Sequence, residues 1–405
     1  MARFPSYAPE FRIEIDGREI PPALRGCVSR ISYTDGIQGA DRVEITVANQ
    51  DLRWLDHPLL QTDNGLTLAL GYAPDPLEKV FTGEITGITA SFPDGGMPRL
   101  TIVAHDFLHR LTTGTRNRSF MLDIPTIGQF PLPDPAVVSL VAATGLLIPE
   151  PDPVGAALSF FLLLAAYAID ADQAKRGVRV QNEQSDFDFL ATVAKDNGWD
   201  FSIDHTRQPQ GSVLRFRFPL SDLEPAVQLA WGRSLIDYTP RLTTVGQVAA
   251  VQCRIWIAAI KTEIVVQLGW DFDRAAFDLQ IFPGLDEFVD PELGPRSRDV
   301  LTVSGGGPAL APKTLLSELL PRLNNRLTGS GSAVGNLSIK AGRVIDLQGL
   351  GEQFSGLYRI TSATHTIDGG GFRTSFETRK EIWFGGIPTP RGLGGLARVN
   401  GQRIG

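Results

Sequence analysis

Residues 81–88 read Phe-Thr-Gly-Glu-Ile-Thr-Gly-Ile and lead, through an Asp-Gly-Gly turn at 94–96, into another stretch of alternating apolar residues. The same order of features returns at residues 354–361, Phe-Ser-Gly-Leu-Tyr-Arg-Ile-Thr, followed by Asp-Gly-Gly-Gly at 368–371. Alternation with period two predicts strands, and the glycine turns predict hairpins. We interpret this echo as a duplicated β-barrel. Two unrelated hairpins are the alternative, because glycine turns between alternating strands are common.

Outward from these hairpins, the sequence divides into four parts. Residues 1–112 and 227–384 carry strand patterns and are predicted to form a first and a second β-barrel domain. Residues 113–226 mix helix and strand signals and include the apolar helix Ala156–Ile169, predicted to be buried on most sides. Residues 385–405 form a Gly/Arg-rich arm, predicted to be flexible. The predicted fold class is β-rich α+β, with two similar antiparallel barrels and an α+β segment between them.

Capping residues set the predicted ends of the helices in the middle segment. Asp134, followed by a proline, is predicted to be an N-cap, and Gly145 to end that helix in the left-handed conformation. Ser185 resembles the start of a capping box, and Gly198 is predicted to end the helix that follows.

Three further predictions concern the second half. Leucines at 315, 316, 319, 320, 323 and 327 predict one helix with a kink at Pro321. Residues 328–335 are rich in Gly and Ser and predict a linker. Residues 337–340 are predicted to form a strand.

Composition excludes several classes of protein. Of 405 residues, 42 are Gly and 28 Pro, which is too many for a coiled coil or a helical solenoid. A net charge of −7 offers no electrostatic footprint for nucleic acid or anionic lipid. The longest apolar run is too short to span a bilayer, and the N-terminus lacks an apolar signal core. We expect no membrane span and a cytoplasmic place of assembly.

Motifs for phosphate binding, metalloprotease zinc, thiol redox or a nucleophile elbow are absent from the sequence. His105 and His109 could share a helix face and hold zinc, but no third ligand is indicated. Asp271 and Asp273 beside Trp270 could suggest sugar stacking, although core packing is the simpler interpretation. We therefore assign no catalytic, cofactor-binding or metal residue and expect no cofactor.

The other paired polar residues have structural interpretations. Asp186 and Asp188 are carboxylates that suit a helix start. Cys27 and Cys253 are expected to be buried free thiols, because one possible pair defines no disulfide framework.

Three blocks of sequence resemble phage tail baseplate hub proteins of the late control D family, whose relatives include hubs of contractile injection systems and of type VI secretion spikes. The blocks run from Phe81 to Leu111, from Val180 through Gln184-Ser185-Asp186-Phe187-Asp188-Phe189-Leu190 to Trp199, and from Gly342 to His365. The second block is the most specific because its order is long. None of the blocks is catalytic in the family, so the resemblance implies structural roles for His109 and for residues 184–190.

The resemblance implies a ring-shaped homotrimer, in which six barrels adapt a hexameric inner tube to a trimeric spike. Its partners would be the tube or a tube-initiator protein, a separate spike protein and baseplate wedge components, within a virion tail or injection particle. Two departures stand out. Residues 146–177 look longer than the usual family connection, and no β-helix or lysozyme-like domain follows the second barrel.

Other functions stay open at this point. A β-rich glycan hydrolase would use Asp271 and Asp273, and a carbohydrate-binding module is a further alternative. We expect the apolar helix 156–169 to be buried at a subunit or partner contact. We also expect the C-terminal arm, with Arg391, Arg398 and Arg403, either to have no role or to order on the spike or a neighbouring subunit.

Overall fold

The computed structural model describes residues 8–124, 128–169, 172, 175, 177–218, 222–243, 250–257, 261–271, 276–283, 300–303, 311–384, 398–399 and 402–403. The described helices are α1 Pro22–Arg25, α2 Asp134–Thr144, α3 Pro153–Ile169, α4 Asp186–Asn197, α5 Ala311–Asn324 and α6 Gly351–Phe354, with 3₁₀ helices at Phe107–Thr112 and Ile382–Phe384.

The described strands are numbered in chain order. They are β1 Ala8–Ile15, β2 Arg18–Glu19, β3 Val28–Gly36, β4 Arg42–Ala48, β5 Gly65–Ala73, β6 Glu78–Ser91, β7 Arg99–Asp106, β8 Arg116–Ser119, β9 Met121–Ile124, β10 Gly128–Pro131, β11 Ile148–Pro151, β12 Val180–Gln184, β13 Asp200–Ile203, β14 Val213–Arg217, β15 Pro225–Ala230, β16 Leu235–Leu242, β17 Ala250–Ile257, β18 Thr262–Asp271, β19 Ala276–Pro283, β20 Val300–Val303, β21 Leu327–Val334, β22 Val344–Gln348, β23 Gly356–Asp368, β24 Gly371–Arg379, β25 Arg398–Val399 and β26 Gln402–Arg403.

Both predicted hairpins form. β6 pairs with β7 and β23 with β24, each pair antiparallel and each with a β-bulge in its first strand, at Thr86 and at Thr361. The alternation of the sequence matches the two faces of the strands. In β4, Val43, Ile45 and Val47 are buried while the residues between them are partly exposed. The strands predicted from period two in the first hundred residues are therefore confirmed.

The predicted β-rich fold class is confirmed, but no closed barrel is found among the described residues. Thirteen strands join into one sheet, whose order runs from β16 through β21, β24, β23, β3, β4, β7, β6, β5 and β1 to β2, with β22 and β15 branching from β23. The two halves meet where β3 pairs antiparallel with β23, from Ile31 opposite Ile367 to Gly36 opposite Ser362. The N–H and C=O groups at a strand edge need hydrogen-bond partners, and those of β3 pair with β23 of the other half.

The middle segment builds a separate core from α2, α4 and two small sheets. β12 pairs with β8, and β14 lies between β11 and β13. Ser185 caps α4 by accepting the N–H of Asp188, and Gly198 ends it with φ +65°, so both predictions are confirmed. Helix packing buries Phe189, Leu190 and Val193, as the predicted stripe requires.

Two predictions for α2 are wrong. Pro133 is the N-cap, because the Asp134 carboxylate instead accepts from Arg179 and Asn197. Gly145 has φ −90°, and Leu146 takes the left-handed conformation instead, at φ +61°.

The second half departs from prediction at three places. The leucine helix is confirmed as α5 and contains Pro321, but Leu327 begins β21 instead. Residues 328–335 are not a linker: β21 lies between β16 and β24. Glycine is needed there because a Cβ at Gly329 would lie 2.3 Å from the Tyr238 hydroxyl. Residues 337–340 form a turn rather than a strand, with Ile339 fully buried.

Helix α3 is only half covered by its own chain. Gly155 lets its first turn approach Trp199, since a Cβ there would lie 2.8 Å from Nε1 of that ring. On the other side the apolar residues Val154, Phe160, Phe161 and Leu164 are exposed. Burial on most sides is therefore wrong for the single chain, and a partner contact stays a prediction.

Among the described residues, no helix is both long enough and apolar enough to cross a membrane. In the arm 385–405, Arg398–Val399 pairs with Gln402–Arg403. The other residues of the arm, Arg391 included, lie outside the described part of the chain. That the arm is flexible therefore stays a prediction.

Candidate functional site: a buried polar junction

Four buried polar side chains meet where the halves of the large sheet contact the middle segment. Asp35 lies near the end of β3, Asp41 directly before β4, and Asp106 at the end of β7. His205 enters from the middle segment, in the loop after β13. These side chains belong to residues that are 0 to 7 % exposed. We call this cluster the polar junction.

Asp41 is the centre of the junction. The Tyr33 hydroxyl donates to its Oδ2 at 3.1 Å, and Nε2 of His205 donates to the same oxygen at 3.0 Å. The backbone N–H of Gly36 donates to Oδ1 at 3.3 Å. The carboxyl group therefore holds the β3–β4 loop and the middle segment in one hydrogen-bonded unit.

Asp106 fixes the end of the first-half sheet. Its Oδ2 accepts the backbone N–H of Asp41 at 2.9 Å, and its Oδ1 accepts the N–H of Leu108 at 2.9 Å. The second bond caps the 3₁₀ helix that follows β7. One side chain thus sets both the start of β4 and the direction in which the chain leaves β7.

Asp35 connects the junction to the second half. Its Oδ2 accepts the backbone N–H of Ala341 at 3.0 Å, while its backbone carbonyl accepts from Ser362 at 3.0 Å. Next to it, the ring of Tyr33 stacks on His365, with centroids 5.8 Å apart. All three parts of the chain therefore have polar contacts at this point.

Burial changes the ionisation of the junction. Loss of solvation, together with repulsion from Asp41, raises the pKa of Asp35 to about 7 and that of Asp106 to about 8. Burial also raises the pKa of Asp41 to about 7. The pKa of His205 is lowered, mainly because burial disfavours the imidazolium. Near neutral pH the junction therefore keeps carboxyl protons that exposed groups would release.

The spacing of Asp41, Asp106 and His205 is that of a metal site, because each offers a ligand atom within 4.8 Å of the others. The hydrogen bonds of the imidazole argue against one. The backbone N–H of Thr82 donates to Nδ1 of His205 at 3.2 Å, so Nδ1 is the acceptor and Nε2 carries the proton. A neutral histidine in this tautomer has no lone pair to offer at Nε2. These residues fit a hydrogen-bond network rather than a metal centre.

His105 and His109, the histidines singled out in the sequence, lie outside the junction. His105 faces the other side of β7, where its Nδ1 bonds to the hydroxyl of Thr86 at 2.6 Å. His109 lies 3.5 Å from the carboxylate of Glu84. Strand alternation turns Asp106, between them, toward the interior. Sequence reasoning missed Asp35, Asp41 and His205, because no local pattern distinguishes them from ordinary loop residues.

A second buried network links the second half to the middle segment. Nε and Nη2 of Arg359 donate to the two oxygens of Glu381, both at 2.9 Å. Arg379 pairs with Glu381 at 3.0 Å and with Asp200 of β13 at 2.7 Å. These neighbouring carboxylates raise the pKa of Arg379 against the opposing effect of burial. The buried charges are paired, as a low-dielectric interior requires.

The remaining sequence candidates are placed as follows. Trp270 is buried and packs edge-on against Phe277, which is core packing and leaves no face for a sugar. Asp273 and the side chain of Asp271 lie outside the described part of the chain. Asp186 accepts from Arg118 and from Gln181 at the start of α4.

Neither cysteine forms a disulfide bond. Cys253 is buried as expected, but Cys27 is only partly buried.

The whole described architecture is similar to solved tail proteins. A 43 kDa tail protein of prophage MuSo2 from Shewanella oneidensis matches 92 % of this chain and 98 % of its own, with a TM-score of 0.61 and 12 % identity. A tail protein from Neisseria meningitidis MC58 matches 94 % of this chain and 99 % of its own, with a TM-score of 0.60 and 10 % identity. The chain has the fold of these phage tail proteins.

A third similarity extends this tail-protein fold beyond phages. An Escherichia coli component of the type VI secretion system, itself described as structurally similar to the T4 phage tail proteins gp27 and gp5, matches 93 % of this chain and 79 % of its own. Its TM-score is 0.51 and its identity 12 %. No protein-family model and no curated protein matches the sequence. The fold is therefore shared at a level that sequence similarity alone does not reveal.

Proposed function

We propose that this protein is a structural hub of a contractile phage tail or a related injection particle. It forms a homotrimer with pseudo-sixfold symmetry and joins a hexameric tube to a trimeric spike. The observation that carries the proposal is the end-to-end match to two tail proteins, 98 and 99 % of whose own lengths are covered. The two bulged hairpins, one in each half, supply the internal repeat that a sixfold ring of three subunits needs.

The polar junction suits this role because a hub must carry force without changing shape. Asp35, Asp41 and Asp106 bind backbone groups of the sheet and of the second half, and His205 binds from the middle segment. The network of Arg359, Glu381 and Arg379 supports the same connection. Networks whose members are hydrogen-bonded favour one rigid arrangement of the parts. The domain division at residues 112, 226 and 384 belongs to this proposal.

Exposed apolar side chains on α3 favour assembly. The helix exposes two phenylalanines and contains no charged residue. Such an apolar surface promotes association with other proteins unless a partner covers it. We assign this face to a contact within the hub assembly. A neighbouring hub subunit or a tube, spike or wedge protein would cover it. The late control D family assignment and the absence of a catalytic role are parts of the same proposal.

The test is the mass of the purified chain in solution. Light scattering over a dilution series, followed by electron microscopy of negatively stained particles, should give three times 44.0 kDa and rings with a central channel. A species that remains monomeric at the highest concentration, both alone and with tube protein, contradicts the proposal. A monomer that releases sugars from cell-wall glycan would favour the hydrolase instead.

A further inference from the structure

The two halves of the large sheet repeat one arrangement of five strands. The order across the sheet is β3-β4-β7-β6-β5 in the first half and β16-β21-β24-β23-β22 in the second, and every neighbouring pair is antiparallel. Both sets also follow the same order along the chain. Bulges fall at matching places, since Ser29 of β3 matches Ile236 of β16 and Thr86 of β6 matches Thr361 of β23.

Backbone hydrogen bonds support this residue-by-residue alignment. Directly before the bulge in β6, the N–H of Ile85 donates to the carbonyl of Asn64 at 2.9 Å. At the matching position of β23, the N–H of Ile360 donates to the carbonyl of Arg343 at 2.9 Å. Strand β6 therefore corresponds to β23, and β3 corresponds to β16.

The halves differ in which strand edges are covered. After its bulge, β23 pairs on both sides, because residues 362–367 contact β24 and also β3. In the described part of the chain, residues 87–91 of β6 pair with β7 only, since the pairing with β5 stops at Glu84. Residues 239–242 of β16, the counterpart of β3, pair only with β21 there. One edge of β6 and one edge of β16 are thus open.

Side chains along the two open edges match in polarity. His365 of β23 is fully buried, whereas the corresponding Ala90 of β6 is exposed. Ile88 and Ala90 lie opposite buried residues of β7 and so belong to the core face of β6. In β16, Leu242 packs against the core of the second half, and Pro240, two residues away, shares its face. Pairing the two edges would therefore extend apolar faces on the same side.

We propose that these edges pair between copies of the chain, with residues 239–242 of one subunit antiparallel to residues 88–91 of the next. The contact repeats between subunits what β3 and β23 do inside one chain. Each copy offers one edge of each kind, so the contacts run head to tail and three copies close a ring. Closure covers both edges, which would otherwise attract other strands. The inference rests on the trimer proposed above and names the surface that forms it.

The register follows from the pairing inside the chain. Asp35 of β3 lies opposite Ala363 of β23, and the corresponding residues are Leu242 and Ile88. Pro240 has no N–H to donate, so at its position the contact depends on its carbonyl alone. A proline is tolerated at this place because β16 is an edge strand in the single chain.

Cysteine cross-linking of the full chain tests this register. Thr89→Cys combined with Arg241→Cys places two cysteines directly opposite each other between copies, about 4.5–5.5 Å apart at Cα and within reach of a disulfide. The matched control combines Ser91→Cys with Arg241→Cys, a diagonal pair about 7–8 Å apart. All three side chains are exposed. The unaltered chain controls for its own Cys27 and Cys253.

After oxidation, gel electrophoresis without reductant should show the Thr89/Arg241 pair as covalent dimers and trimers, at two and three times 44.0 kDa. The diagonal pair should cross-link at least about fivefold less, because its geometry suits a disulfide poorly. Trimers in light scattering, without cross-linking above the diagonal pair, overturn the pairing and leave the hub proposal standing. An unaltered chain that stays monomeric overturns both.

A second variant tests the contact without a disulfide. Ala90→Lys puts a charge on the apolar side of the proposed contact, where burial of an ammonium group is costly. It should raise the concentration at which trimers dissociate at least about tenfold. Ser91→Lys is the control, because Ser91 lies on the opposite, outer face of β6 and should leave the trimer unchanged. Ala90→Lys trimers that resist dilution as well as the unaltered ones overturn the pairing.

Discussion

Nε2 of His205 donates a hydrogen bond to Oδ2 of Asp41 across 3.0 Å, although 164 residues separate them in the chain. The bond joins the middle segment to the first half of the large sheet. Because Thr82 donates to the other ring nitrogen, the tautomer of His205 is fixed and the direction of the bond is defined. This pair makes the connection between the two parts testable by single substitutions.

Replacing His205 should loosen the junction. His205→Ala removes one of the hydrogen bonds to the Asp41 carboxyl and takes away the acceptor of the Thr82 N–H, which should cost about 2–5 kcal/mol of the free energy of unfolding. Urea denaturation followed by tryptophan fluorescence measures the loss. His105→Gln is the control, since His105 lies on the outer face of β7 and should change stability by less than about 0.5 kcal/mol. Equal free energies of unfolding for the two variants would show that the hydrogen bonds of His205 contribute little to stability.

Stability should fall as pH rises from about 6.5 to 8. The buried carboxyl of Asp106 has a higher pKa in the folded chain than in the unfolded chain. At a pH between these two values the folded chain holds a proton that the unfolded chain has released, so raising the pH favours unfolding. His205 has the opposite effect, because its lowered pKa makes stability rise as pH climbs through the ordinary histidine range. Above about pH 6.5 the carboxyls should therefore dominate.

Urea midpoints at half-unit pH steps measure this slope. Asp106→Asn removes one titrating group and should give a less stable protein with a flatter dependence on pH. A slope unchanged by Asp106→Asn would contradict the assignment of the effect to the junction.

Glu381 should be among the least replaceable residues of the second half. It is fully buried and accepts from Arg359, Arg379 and the Trp383 ring. Glu381→Gln leaves buried guanidinium charges short of a counter-ion and should cost about 3–5 kcal/mol of the free energy of unfolding. Thermal and urea unfolding measure the loss, and Glu352→Gln, on the exposed start of α6, is the control. A loss below about 1 kcal/mol would mean that water already reaches the pair.

The exposed face of α3 should govern assembly but not folding. The double substitution of Phe161 and Leu164 by Asp should lower the mass in solution or abolish binding of tail partners, while thermal unfolding of the single chain changes little. Phe92→Asp is the matched control, because Phe92 is equally exposed but lies in the turn after β6. The prediction is contradicted if the α3 variant assembles to the same mass in solution as the unaltered protein and binds tail partners equally well.

The sequence determined the local structure where neighbours along the chain supply the interactions. Period-two alternation gave the strands of both hairpins, and Ser185 and Gly198 gave the ends of α4. These are short-range effects, since side chains two residues apart share a face and a cap binds a backbone group three residues away. Where a distant partner intervened, the local signal failed. The Asp134 carboxylate binds Arg179 instead of capping the helix, and the Gly/Ser stretch pairs with β16 and β24 as a strand.

Only the tertiary structure decided how the halves join and where the polar groups meet. The pairing of β3 with β23 depends on a free strand edge and joins residues about 330 positions apart, for which alternation carries no signal. Asp35, Asp41, Asp106 and His205 are separated in sequence and become a cluster only when three segments pack together. Their altered pKa values follow from burial, which is a property of the packed chain and not of any residue in it.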